Sequence, residues 1–164
     1  MKFILVFLAV VLFSSASFAD CYTMDEAEAE QGIRIHSELM VIGLNCQHLW
    51  PKNEPNLYLQ YKQFSAKNGD IFSGYEATLM KHFKNEYGAA AEAHMHTLRT
   101  QFANKISGDA ATMRPDAFCK VYAPRIPKAA TMDRAAIHKW ASTFFPGFPT
   151  TQPICQGSVS VKFQ

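Results

Sequence analysis

Imidazole and thioether side chains meet at His94-Met95-His96, and cysteines stand at positions 21, 46, 119 and 155. Nitrogen and sulfur donors of this kind suit a soft ion such as copper, and Met40, Met80 and Met132 could add thioethers. The spacing opposes chelation. Residues two apart on a helix point about 200° from one another, so His94 and His96 cannot close on one ion unless the helix breaks between them. The expected arrangement has Met95 in the core and the histidines beside it in solvent. His94 and His96 are the metal candidates, and the expectation is that no metal or other cofactor is held. Glu92 and His96, and His82 and Glu86, are four apart and read as solvated helix-face pairs.

No motif for catalysis accompanies them. The chain has no His-Glu-x-x-His, no Gly-x-Ser-x-Gly, no Ser-x-x-Lys and no phosphate-binding loop, the patterns that would place a metal, a nucleophile or a phosphate. A non-enzymatic role is therefore expected, with no catalytic residues. The aromatic content, thirteen Phe, six Tyr and two Trp, reads mainly as core. Tyr58, Tyr61 and Tyr75 cannot all face one core, which leaves room for an aromatic groove that takes a peptide or small apolar ligand. Phe144, Phe145 and Phe148 are expected to pin the C-terminal segment onto the rest.

The compartment is read at the N-terminus. Met1-Lys2, the apolar run FILVFLAVVLF and the small-x-small site Ser17-Phe18-Ala19 form a secretory signal peptide over residues 1–19. Eleven apolar residues are too few for a bilayer core of about 30 Å, so no membrane anchor is expected after cleavage. Asp20 precedes Cys21, which argues against lipoprotein processing. A periplasmic or secreted location follows. Without Lys2, fifteen cationic residues face fourteen acidic ones, too even for nucleic acid or a charged surface. Four cysteines in an exported chain, none spaced as Cys-x-x-Cys, point to structural disulfides rather than a redox, zinc or haem site.

The elements that carry these residues are helical. Residues 23–50 open with the capping-box spacing Thr23/Glu26, and Asp25, Glu26, Glu28 and Glu30 suit the positive end of the helix dipole. Ile35, Leu39, Ile42, Cys46 and Leu49 form the stripe to be buried, and Pro51 stops the run. Leu57, Tyr61 and Phe64 mark a second helix to about residue 67. Asn68-Gly69-Asp70 either breaks or kinks the chain there, with Asp70 able to cap the next segment, whose stripe is Phe72, Tyr75, Leu79 and Phe83. Ala91, Met95, Leu98, Phe102 and Ile106 define a further helix. Pro115 begins a short one carrying Phe118 and Cys119. Pro124 and Pro127 mark a linker, and Thr131 caps a last helix to about residue 144. PGFPTTQP is irregular, and SVSVKF alternates at period two.

A helix reading SELMVIGLNC, the aromatic segments LYLQYKQF and LMKHF, and the short DAFC segment, behind a cleaved signal, resemble a broad family of small exported bacterial helical proteins to which no activity is assigned. The resemblance spans residues 34–122 and rests mainly on the Leu-x-Cys and Phe-Cys positions. It implies a helical periplasmic protein in which Cys46 and Cys119 pair. Four cysteines allow three connectivities. Cys46 on the buried stripe and Cys119 beside Phe118 are placed to meet in the core, while Cys21 and Cys155 lie in segments that need tethering. The expected bonds are Cys46–Cys119 and Cys21–Cys155. The expected fold is an all-α bundle of four to five amphipathic helices, disulfide-crosslinked, with an irregular proline-rich C-terminal tail. The divisions are the signal peptide, a helical bundle over 20–123, and a C-terminal helix and tail over 124–164 packed on it. The expected role is an envelope interaction or structural protein acting through a protein partner, the alternative a periplasmic metal- or small-ligand-binding module.

Overall fold

The structure, a computed structural model, describes residues 21–155. The expected signal peptide and the alternating SVSVKF stretch lie outside the described residues. Within them the chain forms seven α-helices: α1 (Met24–Cys46), α2 (Leu57–Lys67), α3 (Gly69–Tyr87), α4 (Ala91–Thr112), α5 (Pro115–Tyr122), α6 (Arg125–Ala130) and α7 (Arg134–Ala141). A single 3-10 turn (Gly88–Ala90) joins α3 to α4. The fold is an all-α bundle crosslinked by disulfides. Among the described residues the only β pairing is an isolated parallel bridge between Tyr22 and Ile154.

α1 is the axis. The Thr23 hydroxyl accepts from the Glu26 N–H, and the Glu26 carboxylate accepts from the Thr23 N–H at 2.8 Å, so both halves of the capping box form. From residue 27 to 43 every position is buried or half-buried, because α2, α3, α4 and α7 all pack against this one helix. Gly32 lets α3 approach closely: a Cβ there would lie 2.2 Å from the buried Tyr75 ring. Ile35, Leu39, Ile42 and Cys46 are buried as the stripe predicts. Leu49 is not. The helix ends at Cys46, before Pro51 is reached, and Leu49 sits in the following turn, 55% exposed.

The stripes of α2, α3 and α4 are buried at every position the spacing marks. Asn68 resolves the α2–α3 junction as a break: its backbone leaves helical geometry (φ −114°, ψ 24°), and its side chain donates to the Phe64 carbonyl at 2.9 Å. Asp70 does not cap α3; it lies inside the first turn and pairs with Arg134 instead. Gly88, at φ +55°, ends α3 in a conformation that favours glycine.

The C-terminal third differs from expectation. Pro124 and Pro127 do not form a linker; Pro124 precedes α6 and Pro127 occupies its first turn, where a missing N–H leaves no bond unmade. Thr131 closes α6 through its hydroxyl on the Lys128 carbonyl, and α7 is capped by Asp133, whose carboxylate accepts from the Ala136 N–H at 2.8 Å. The disulfides are Cys46–Cys119, joining α1 to α5, and Cys21–Cys155, joining the segment before α1 to the tail. Two disulfides with no free cysteine are the pattern of a chain that matures in oxidising, extracytoplasmic surroundings. No described helix is long and apolar enough to cross a membrane.

Candidate functional site

Glu30, Arg34 and Glu38 recur every four residues and share one flank of α1. All three are buried: Glu30 is 0% exposed and Arg34 5%. A charge removed from water destabilises by several kcal/mol unless paired, so the partners define the site. The Glu30 carboxylate accepts from the Thr151 N–H at 2.9 Å and from the Thr151 hydroxyl, and it lies 3.4 Å from Arg34 Nη2. Gln31 Nε2 donates to the Phe148 carbonyl at 2.9 Å, and Arg34 Nη2 donates to the Pro149 carbonyl at 2.6 Å. The irregular tail is thereby fastened along α1 by side chains that each satisfy its backbone.

The fastening continues toward the start of α1. Gln152 donates to Glu86 at 2.9 Å, and its amide oxygen lies 3.0 Å from His82 Nε2. His82 in turn meets Glu26 through Nδ1 at 3.1 Å and Glu86 through Nε2 at 2.9 Å. Tyr22 exchanges backbone bonds with Pro153 and Cys155, and the Cys21–Cys155 bond closes the seam.

Two groups on this flank are incompletely answered. The Arg34 guanidinium lies over the Phe102 ring at 4.7 Å and near the Phe148 ring at 5.9 Å, yet its Nε and Nη1 are sealed from solvent with no hydrogen-bond acceptor. Burial pulls its pKa below the usual arginine value against the opposing pull of Glu30 and Glu38. Glu38 accepts from Arg125 Nη1 at 3.1 Å. Burial nevertheless pushes its carboxyl above the usual range, outweighing Arg125, Arg34 and Lys105.

Beside these groups a cavity of about 620 Å³ opens between α1, α6, α7 and the tail. Ile35, Met132, Trp140, Phe145 and Phe148 supply its apolar wall. Arg34, Arg125, Lys128 and Lys139 bring four cations to the lining against one carboxylate, Glu38. The exposed lysines stand at the rim and Arg34 at the buried wall. A large apolar pocket with a few converging polar groups is the usual form of a small-molecule site.

Other polar clusters tie helices together. His36 Nε2 lies 2.7 Å from the Ser65 hydroxyl and 3.1 Å from the Tyr61 hydroxyl, a pairing that could activate a nucleophile. Burial lowers the imidazole pKa to about 4, Phe72 packs on it at 4.5 Å, and neither His36 nor Ser65 lines the cavity. Tyr75 donates to Glu28 at 2.9 Å, and His138 Nδ1 meets the same carboxylate oxygen at 2.7 Å, joining α1, α3 and α7.

The residues singled out from sequence fall elsewhere. Met95 is in the core, His94 and His96 are exposed beside it, and His94 stacks on Tyr87 at 3.5 Å. Among the described residues no cluster of three His, Cys, Asp or Glu side chains is arranged to hold a metal ion. Tyr61 and Tyr75 are buried, Tyr58 packs partly buried against the core, and none of the three lines the cavity. Phe144 packs against the core, Phe148 is half-buried with Arg34 and Lys105 over its ring, and Phe145 is 53% exposed at the cavity wall. Glu28 and Glu30 lie beyond the first turn of α1, so partners across the bundle hold them rather than the helix dipole.

Sequence reasoning missed Arg34, Glu38, Arg125, Lys128, Lys139 and Trp140. The available signal was that Ala27, Ala29, Ile33 and Val41, apolar residues outside the stripe, encircle α1, so its charged residues also had to be covered. No protein-family model matches the chain, and no curated protein or solved structure matches it, so the functional reading rests on this cavity.

Proposed function

We propose that this chain is an exported, non-enzymatic small-ligand-binding protein of the periplasm or extracellular space, and that its site is the cavity between α1, α6, α7 and the tail. The observation that carries the reading is the combination in one 620 Å³ space of an apolar wall and converging charged groups. A role acting only through a protein partner needs no occupant in this cavity, so ligand titration separates the two.

Trp140 is the reporter. Trp50→Phe leaves Trp140 as the sole tryptophan, and a panel of neutral, anionic and cationic apolar fragments is titrated into the oxidised protein. A binding fragment quenches Trp140 and raises the melting temperature, by about 2.7 kcal/mol of added stability at a hundredfold excess over Kd. Ala136→Leu narrows the cavity without adding a fluorophore and weakens both responses while the protein stays folded. A panel that moves neither signal contradicts the reading.

A further inference from the structure

The geometry points to an organic carboxylate as the occupant, a molecule with one ionised head and an apolar body, an assignment that rests on reading the cavity as a binding site. Three observations converge on it. The lining is unbalanced: of its four cations, Arg125 is answered by Glu38 at 3.1 Å and Arg34 by a single 3.4 Å contact with Glu30. Lys128 and Lys139 have no ion-pair partner among the described residues. A free anion entering here meets a positive field partly shielded from water, where attraction is stronger than at an open surface.

The second observation is Arg34. It is 5% exposed, permanently charged, and carries three N–H donors, on Nε and Nη1, without an acceptor. Buried donors are ordinarily satisfied; these three are sealed within the wall, so what Arg34 brings to the cavity is its positive charge rather than an open hydrogen-bond donor. Arginine keeps its charge even with its pKa lowered by burial, so the head it draws into the cavity is anionic.

The third is the remaining wall. Met132, Trp140 and Phe148 offer a broad face to carbon, which an inorganic anion without an apolar body cannot use. The head is drawn by Arg34, Lys128 and Lys139, and the apolar body lies on Trp140 and Phe148.

Four probes of matched design test this on the oxidised Trp50→Phe protein: decanoate, decanol, decylammonium and acetate. Decanoate binds about tenfold to a hundredfold tighter than decanol, the difference expected for a charge-assisted contact. Decylammonium binds more weakly than decanol, and acetate, which lacks the apolar body, does not quench Trp140. Lys128→Gln with Lys139→Gln, both exposed and harmless to folding, weakens decanoate about fivefold and leaves decanol unchanged. Arg34→Met erases the preference for decanoate; should that variant fail to fold, the lysine pair still decides. Equal affinity for decanoate and decanol overturns the carboxylate assignment and leaves the cavity reading standing. Failure of all three ten-carbon probes, with no fragment of the wider panel binding either, overturns both.

Discussion

α1 buries two flanks by opposite means. On one, Leu39, Ile42 and Cys46 meet apolar neighbours and the Cys46–Cys119 bond, and sealing the helix needs nothing but shape. On the other, Glu30, Arg34 and Glu38 are covered by an irregular tail whose backbone they satisfy, held at its end by Cys21–Cys155. The apolar flank is complete and chemically silent. The charged flank is closed imperfectly, with a surplus of cations lining a cavity beside it, and an anionic ligand would meet that surplus. The first flank is read as the main source of stability, and the proposed ligand site lies in the second.

The disulfides break the comparison most sharply. Removing Cys46–Cys119, as Cys46→Ala with Cys119→Ala, releases a 73-residue separation and destabilises the whole bundle by up to about 4 kcal/mol in the chain-entropy model. Cys21–Cys155 spans 134 residues and the same model ranks it no lower, but its tail can peel from α1 with the helices intact. Cys21→Ala with Cys155→Ala is therefore expected to raise amide exchange in residues 147–155 far below the global transition. Melting curves and exchange rates on both double variants check the ordering; equal global losses with no local opening would remove the distinction between the flanks.

Glu30→Ala tests the charged flank alone. It leaves Arg34 buried with the Pro149 carbonyl as its remaining hydrogen-bond acceptor and removes the carboxylate that Thr151 donates to, a loss of about 3 kcal/mol or more by chemical denaturation. A loss under about 1 kcal/mol would show that the tail shields Arg34 poorly.

The region between the flanks is sharpened by acid. His36 is packed among Ser65, Tyr61 and Phe72, with Arg99 opposing and Glu76 favouring its charge, and its pKa falls to about 4. A folded-state value below the unfolded one means that the stability is present above about pH 6.5 and lost as pH falls through about 4, up to about 3 kcal/mol. His36→Asn should flatten that part of the stability curve between pH 6.5 and 4. A smaller effect is expected from Gly32→Ala, which forces the Tyr75 ring away from α1 and costs about 2 kcal/mol by overpacking, read as a lowered melting temperature.

The sequence made the first flank readable and hid the second for physical reasons. α4 faces the core on one side only, so Ala91, Met95, Leu98, Phe102 and Ile106 stand out at helical spacing. On α1 the spacing Glu30, Arg34, Glu38 is also that of a solvated ladder of i,i+4 pairs, and only the tail's return distinguishes the two. The tail itself has no periodicity, because its bonds go to side chains on α1 rather than to its own backbone. α6 was masked by two prolines that fit outside and within a first turn, and Asp133 displaced Thr131 as the α7 cap because its carboxylate reaches the Ala136 N–H. The connectivity of the cysteines was readable because the buried stripe places Cys46 and the tail places Cys155. The cavity was not, since its wall is drawn from α1, α6, α7 and the tail, elements remote in sequence.

The central claim is that the charged flank of α1 is a ligand site. Amide hydrogen exchange of the oxidised protein with and without saturating decanoate tests it most directly. Protection confined to α6, α7 and residues 145–149, with α2 and α3 unchanged, is the predicted result; protection spread evenly over the bundle, or none at all, would contradict it.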